Sequence, residues 1–246
     1  MQNINCWESK FQACQYSDEL LSVIELLNKK VRIPADINII KKACHVARLY
    51  HGDQTRKSLE PYYSHPLIMA YLFASYVGNN MQKYYTTNLI VIAILHDTIE
   101  DTKLTYEMIA EIFNRNVAEG VKDLTRLKHG IKIGAWESVI LLVLERKDDI
   151  LHVKVFDRLH NMQTICFMSP EKQITIPQET YDFIIPVARY LKLNKIEEEL
   201  INLCSPHIDT SSYFLQHHEQ NLFSFEDSFL ILSPVFQNEV PQANNL

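Results

Sequence analysis

The sequence predicts an all-α domain, a helical bundle, and three observations carry that prediction. Only five glycines occur in 246 residues, too few for the turns of a large sheet or for phosphate-cradling loops. Apolar residues recur at helical spacing through most of residues 1–204. Neither G-x-G-x-x-G nor G-x-x-x-x-G-K-[ST] occurs, which removes the common nucleotide-binding folds built on a parallel sheet.

The elements follow in order. Ser17 or Asp18 caps a first helix in which Leu20, Leu21, Ile24, Leu26 and Leu27 fall on helical spacing. Residues 34–50 form a second, with Pro34 near its start and Gly52 just past its end. Residues 56–64 (RKSLEPYYS) make a loop, and His65-Pro66 opens a third helix. After a polar break at 78–82, the strongly apolar stretch 88–98 is a buried helix ending in carboxylates. Helices are expected over 106–113, 116–127, 136–145 and 150–165, with a basic loop at 128–134. A last block, 178–204, breaks near Pro186; beyond Ser205 the pattern decays, and 223–236 is a short helix or an edge strand. The expected division is a catalytic domain over 1–204 and a C-terminal extension over 205–246.

Composition narrows the function. With 47% hydrophobic and 22% charged residues the chain can bury a substantial core, while a net charge of −6 argues against a nucleic-acid polymer as partner. A small anion remains compatible if a local basic cluster or a metal receives it. Cys6, Cys14, Cys44, Cys166 and Cys204 are odd in number and show no C-x-x-C spacing, so neither a disulfide framework nor a thiolate zinc site is expected. No basic segment followed by an apolar one opens the chain, and runs such as 89–95 fall far short of the ~20 residues a membrane helix needs. No membrane partner is expected, and the cytoplasm is the expected location.

Chemistry concentrates in four residues: His65 at a helix start, the His96-Asp97 pair at the end of a buried helix, and Asp157 much later. Two imidazoles and two carboxylates suit a divalent cation such as manganese, iron, zinc or magnesium. In LHDTIEDT, Glu100 follows His96 by one turn and Asp101 follows Asp97 by one turn. Acidic groups crowded at an apolar helix end repel one another unless a cation intervenes. In KVFDRLHNMQT, Asp157, Asn161 and Thr164 share one helix face, a carboxylate followed by an amide and a hydroxyl. Arg56 and Lys57, close before His65, offer donors for phosphate. Tyr62 and Tyr63 are candidates for stacking a base. The basic run Lys122, Arg126, Lys128 and Lys132 reads as a solvated face.

These motifs resemble the hydrolase domain of the RelA/SpoT family. HGDQTRKSLEPYYSHPL is similar to its opening, LHDTIEDT to its HD box and FDRLHNMQT to its closing motif. ETYDFIIPVARYLKLNKIEEELINL is similar to the helix pair that follows, and the likeness covers residues 38–203. The resemblance implies an all-α HD-domain bundle with a metal site between helices. It further implies manganese-dependent hydrolysis of the alarmone (p)ppGpp, a guanine nucleotide, to GDP or GTP plus pyrophosphate. The metal ligands it assigns are His65, His96, Asp97 and Asp157, and the catalytic acidic pair is Glu100 and Asp101. Arg56, Lys57 and Ser58 match a nucleotide-contacting loop, Asn161 and Thr164 ribose- and phosphate-side contacts, and Arg158 joins the basic groups around the leaving pyrophosphate. His160 is expected to fix its helix by a hydrogen bond rather than to ligate. Leu59 stands where the family usually has Gly, and Phe156 replaces a small residue, where it would crowd the pocket. Nothing in the chain resembles the family's synthetase half, so a stand-alone hydrolase is expected. The alternatives are an HD phosphohydrolase of another 2′- or 3′-phosphorylated nucleotide and a non-catalytic alarmone-binding regulator.

Overall fold

Helices follow one another from α1 (Trp7–Lys10), α2 (Gln15–Asn28), α3 (Ile37–His51) and α4 (Ser64–Asn80) to α5 (Thr87–Leu95) and α6 (Thr98–Asp101). This is the order in a computed structural model, which describes residues 6–128 and 131–208. Next come α7 (Tyr106–Ile112) and α8 (Arg115–Leu124), then a small antiparallel hairpin of β1 (Leu127–Lys128) and β2 (Ile131–Lys132). The chain continues through α9 (Ala135–Leu144), α10 (Asp148–Gln163), α11 (Lys172–Glu179), α12 (Ile185–Tyr190) and α13 (Asn194–Cys204). The helical fold class is as the sequence predicts.

α5 organises the rest. Every residue from Leu89 to Leu95 is buried, and a helix apolar all round must be enclosed on every side. α3, α4, α8 and α10 supply that enclosure, and α2 closes over α4. Gly120 lets α8 approach closely, because a Cβ there would collide with the Ile92 side chain. Short polar side chains set the helix starts. Asp36 accepts from Asn38 N and Ile39 N, Thr86 from Leu89 N, Thr105 from Met108 N and Asn114 from Val117 N, each satisfying a donor with no partner inside its helix. No helix among the described residues is long and apolar enough to cross a membrane. The five cysteines are all free.

Several boundaries depart from expectation. α2 begins before Ser17, whose Oγ instead accepts from Cys14 N at 2.9 Å inside the first turn. Part of the expected loop 128–134 pairs as the hairpin. The break expected near Pro186 falls at Leu191–Leu193, where Lys192 turns to φ 59. Pro186 directly follows a π-helical stretch at Thr180–Ile184 inside a continuous run of helix, the kind of local widening that goes with an irregular residue in the ladder. The expected element at 223–236 lies outside the described residues.

The loop joining α3 to α4 is closed by a bridge between Thr55 and Pro61 and by Arg56 N donating to Glu60 O at 2.8 Å. Leu59 at its tip takes φ 69 and is 85% exposed. A left-handed conformation costs a residue with a Cβ roughly 1–2 kcal/mol, and exposure means the side chain contributes little in return. Leu59→Gly is therefore expected to raise the urea midpoint of unfolding. The relief exceeds the roughly 0.5–1 kcal/mol that glycine loses through its freer unfolded chain. An unchanged or lower midpoint would contradict this account of the loop.

Candidate active site

Three helices bring the candidate residues together. His65 lies in the first turn of α4, where Pro66 can follow without losing a helical bond. His96 and Asp97 occupy the turn between α5 and α6, so the expected continuous helix over 88–98 ends at Leu95. Side chains cause the interruption: Thr98 Oγ1 donates to Leu95 O at 2.7 Å, and His96 Nδ1 donates to Ala93 O at 3.0 Å. Asp157 comes from the middle of α10.

Asp157 Oδ1 is the meeting point. It lies 3.2 Å from His65 Nε2 and 3.5 Å from His96 Nε2, and one ligand atom from each of the three lies within 4.8 Å of the others. His65 and His96 are buried, at 5% and 7% exposure. Asp97 stands beside this trio, its Oδ2 3.8 Å from His96 Nε2. Its Oδ1 approaches His51 Nε2 at 3.2 Å, yet neither carboxylate oxygen accepts a hydrogen bond although both are buried.

The electrostatics set the carboxylates against the imidazoles. Burial raises the pKa of Asp157, but the close approach of the His65 and His96 imidazoles outweighs it and holds the carboxyl well below its usual range. Burial likewise works against Asp97, and His96 and His51 overcome it. On His96 burial opposes charge, but the carboxylates of Asp97 and Asp157 lift its pKa to about 9. Burial dominates at His65, whose pKa falls. Two buried carboxylates set among imidazole nitrogens form a donor set that fits a divalent cation.

The acidic pair follows in α6. Glu100 accepts from Arg126 Nη2 and from Arg126 N, each at 3.3 Å. Asp101 is exposed; its Oδ2 accepts from Tyr62 at 2.8 Å, and its carbonyl accepts from Gln54 Nε2 at 2.9 Å. Gln54 also bonds His51 Nδ1 at 2.9 Å, and the Tyr62 ring stacks on His51 at 4.7 Å. His51, Gln54 and Tyr62 thus link Asp97 to Asp101. Tyr62 is committed to this network, and Tyr63 packs edge-on against Tyr16 beneath Arg48.

The other predicted contacts separate. Arg56 reaches α10, donating to Thr164 Oγ1 at 3.0 Å and approaching His160 Nδ1 at 3.3 Å. Asn161 donates to Asp157 Oδ1 at 2.8 Å, so it holds a candidate ligand. Lys57 is exposed, and Ser58 Oγ donates to Glu60 Oε2 at 3.0 Å. Arg158 is not brought to the site. It is turned about 100° from Asp157 and spends its guanidinium on Ile176 O, Thr180 Oγ1 and Glu179. Phe156 does not crowd the pocket; it is 1% exposed and packs on Phe73 and Tyr76 in the core.

The sequence reading missed His51 and Gln54, and it left Arg126 on a solvated face. Lys154, also missed, sits on α10 one turn before Asp157, where burial lowers its pKa against the pull of Asp157 and Glu100. His51 and Gln54 stood in the HGDQTRKSLEPYYSHPL motif without an assigned role, and Arg126 in the basic run of an otherwise acidic chain.

A helical domain that gathers histidines and aspartates from separate helices in this way defines the HD class. The HD-domain model matches residues 43–191, and the chain belongs to that family. Its relatives there bear out the RelA/SpoT resemblance. It is 35% identical over 188 residues to "Probable GTP pyrophosphokinase" of Mycobacterium leprae, covering 75% of this chain and 23% of that protein. It is 36% identical over 190 residues to "Bifunctional (p)ppGpp synthase/hydrolase SpoT" of Escherichia coli K12, covering 74% of this chain and 26% of that protein. The chain thus spans about a quarter of the length of the curated relatives it matches. A solved structure described as "A metazoan ortholog of SpoT hydrolyzes ppGpp and plays a role in starvation responses" aligns with 75% of this chain and 97% of its own at 16% identity and a TM-score of 0.47.

Proposed function

We propose that this protein is a guanosine-3′,5′-bis(diphosphate) 3′-pyrophosphohydrolase that uses Mn2+ to convert (p)ppGpp to GDP or GTP plus pyrophosphate. The observation that carries the reading is the convergence of His65, His96 and Asp157 within 4.8 Å, with Asp97 and the Glu100–Asp101 pair beside it. The similarity to SpoT of Escherichia coli, named as a (p)ppGpp synthase/hydrolase, supports the choice of substrate.

His65, His96, Asp97 and Asp157 would hold the cation. When bound, it supplies Lewis acidity, which polarises a phosphoryl oxygen and makes water a stronger acid. The chain's own groups do the rest. Glu100 accepts the proton of a water attacking the phosphorus joined to the ribose 3′ oxygen, and Arg126 keeps that carboxylate in place. As the new P–O bond forms, the bond from phosphorus to the 3′ oxygen breaks; that oxygen leaves as the 3′-hydroxyl of GDP or GTP, taking the proton that Glu100 accepted, and the attacked group is released as pyrophosphate. Arg56 and Lys57 offset the charge on the pyrophosphoryl group under attack. Asp101, fixed by Tyr62, orients the attacking water.

The test is direct. Purified protein incubated with Mn2+ and ppGpp is expected to release GDP and pyrophosphate, and a chelator should stop the release. Tight ppGpp binding without turnover under any divalent metal would replace this reading with the regulator. Turnover confined to another 3′-phosphorylated nucleotide would move the substrate class.

A further inference from the structure

His160 is buried at 4% exposure and lies on α10 one turn beyond Asp157. The proposed chemistry gives it no task. Its Nδ1 faces two partners at once, His65 Nδ1 at 2.6 Å and Arg56 Nη1 at 3.3 Å. A guanidinium has donors and no acceptor, so the nitrogen that Arg56 faces must be an acceptor. Of the two facing imidazole nitrogens, the hydrogen therefore sits on His65 Nδ1. That assignment fixes the rest of the His65 ring: its Nε2 keeps a free lone pair, directed to the spot 3.2 Å from Asp157 Oδ1.

We propose that His160 is a positioning residue that locks His65 in its metal-ligating tautomer. Through the same nitrogen it ties that ligand to Arg56, the arm for the substrate's phosphates. The inference rests on the metal-dependent reading above. A ligating histidine performs best when its second nitrogen is held by an outer acceptor, and here the acceptor is another imidazole rather than a carboxylate. Thr164, the residue at the C-terminal cap of α10, completes the link: its Oγ1 accepts from Arg56 Nη2 and donates to His160 O, each at 3.0 Å. One helix turn thereby sets both the ligand's hydrogen and the direction of the arginine.

Metal affinity, read by calorimetry with Mn2+ alone, tests this without substrate. His160→Phe keeps a ring and removes the acceptor, and should weaken Mn2+ binding about 10- to 100-fold while circular dichroism stays unchanged. His160→Asn places an amide oxygen near the former Nδ1 and should restore most of the affinity; His160→Gln carries its oxygen further out and should not. Co2+ absorption should shift in the Phe and Gln variants and match wild type in the Asn variant. Should the Phe variant fail to fold, the two amides decide alone, since they differ mainly in where the acceptor lies. Wild-type affinity in the Phe variant, or equal affinity in the Asn and Gln variants, overturns the proposal and leaves the metal reading standing. Absence of divalent-cation binding by the wild-type protein sinks the metal reading itself.

Discussion

Asp157→Asn is expected to lower Mn2+ affinity by more than about 100-fold, beyond the 10- to 100-fold typical of losing an outer partner, and to remove turnover with it. The geometry makes this carboxylate the hub: both imidazole Nε2 atoms approach its Oδ1, and Asn161 holds the same oxygen at 2.8 Å. An asparagine preserves the shape but removes the charge that the two histidines stabilise, so a bound cation would lose its most central anionic partner. Calorimetry with Mn2+ and a pyrophosphate-release assay read the two effects separately. Wild-type Mn2+ affinity in a folded Asp157→Asn protein would show that the cluster is not a metal centre.

Glu100→Gln should divide those readouts. Loss of a general base slows a reaction by about 10²–10⁴-fold, whereas Mn2+ affinity should stay at its wild-type value because Glu100 is outside the group of three converging side chains. The glutamine oxygen can still accept one of the two Arg126 bonds, so part of the local anchoring survives substitution. A variant that lost metal binding and turnover together would make Glu100 a ligand and leave the proton without this acceptor.

The legible part of the site was the part set by residue type. His65, His96 and Asp157 announced themselves because buried imidazoles and carboxylates are rare without partners, and their motifs stand at helix ends that local patterns reveal. The helices were legible for the same reason, since apolar spacing reports which face is covered. What stayed hidden depends on direction. Arg158 adjoins Asp157 in the chain, yet it points to α11 because one step along a helix turns a side chain by about 100°. Phe156 and Tyr62 were read from sequence as pocket and base contacts, but the core claims the first and Asp101 the second. His51 and Gln54 stood inside the opening motif, but nothing local gave either a role. They matter because a loop folds back on the α6 backbone, a long-range event that no window of sequence reports. The split of 88–98 at Leu95 was missed because the bonds that end the helix come from His96 and Thr98, residues a helix can also tolerate.

α10 works as a camshaft. Asp157, His160 and Asn161 are lobes on one side of a rigid rod that Thr164 caps, and Arg158, about 100° round, keys it to α11. Point changes can alter one lobe at a time, but a single inserted or deleted residue between 157 and 164 would rotate every later lobe off its mark while leaving the rod intact. Length in this stretch is therefore under tighter constraint than composition.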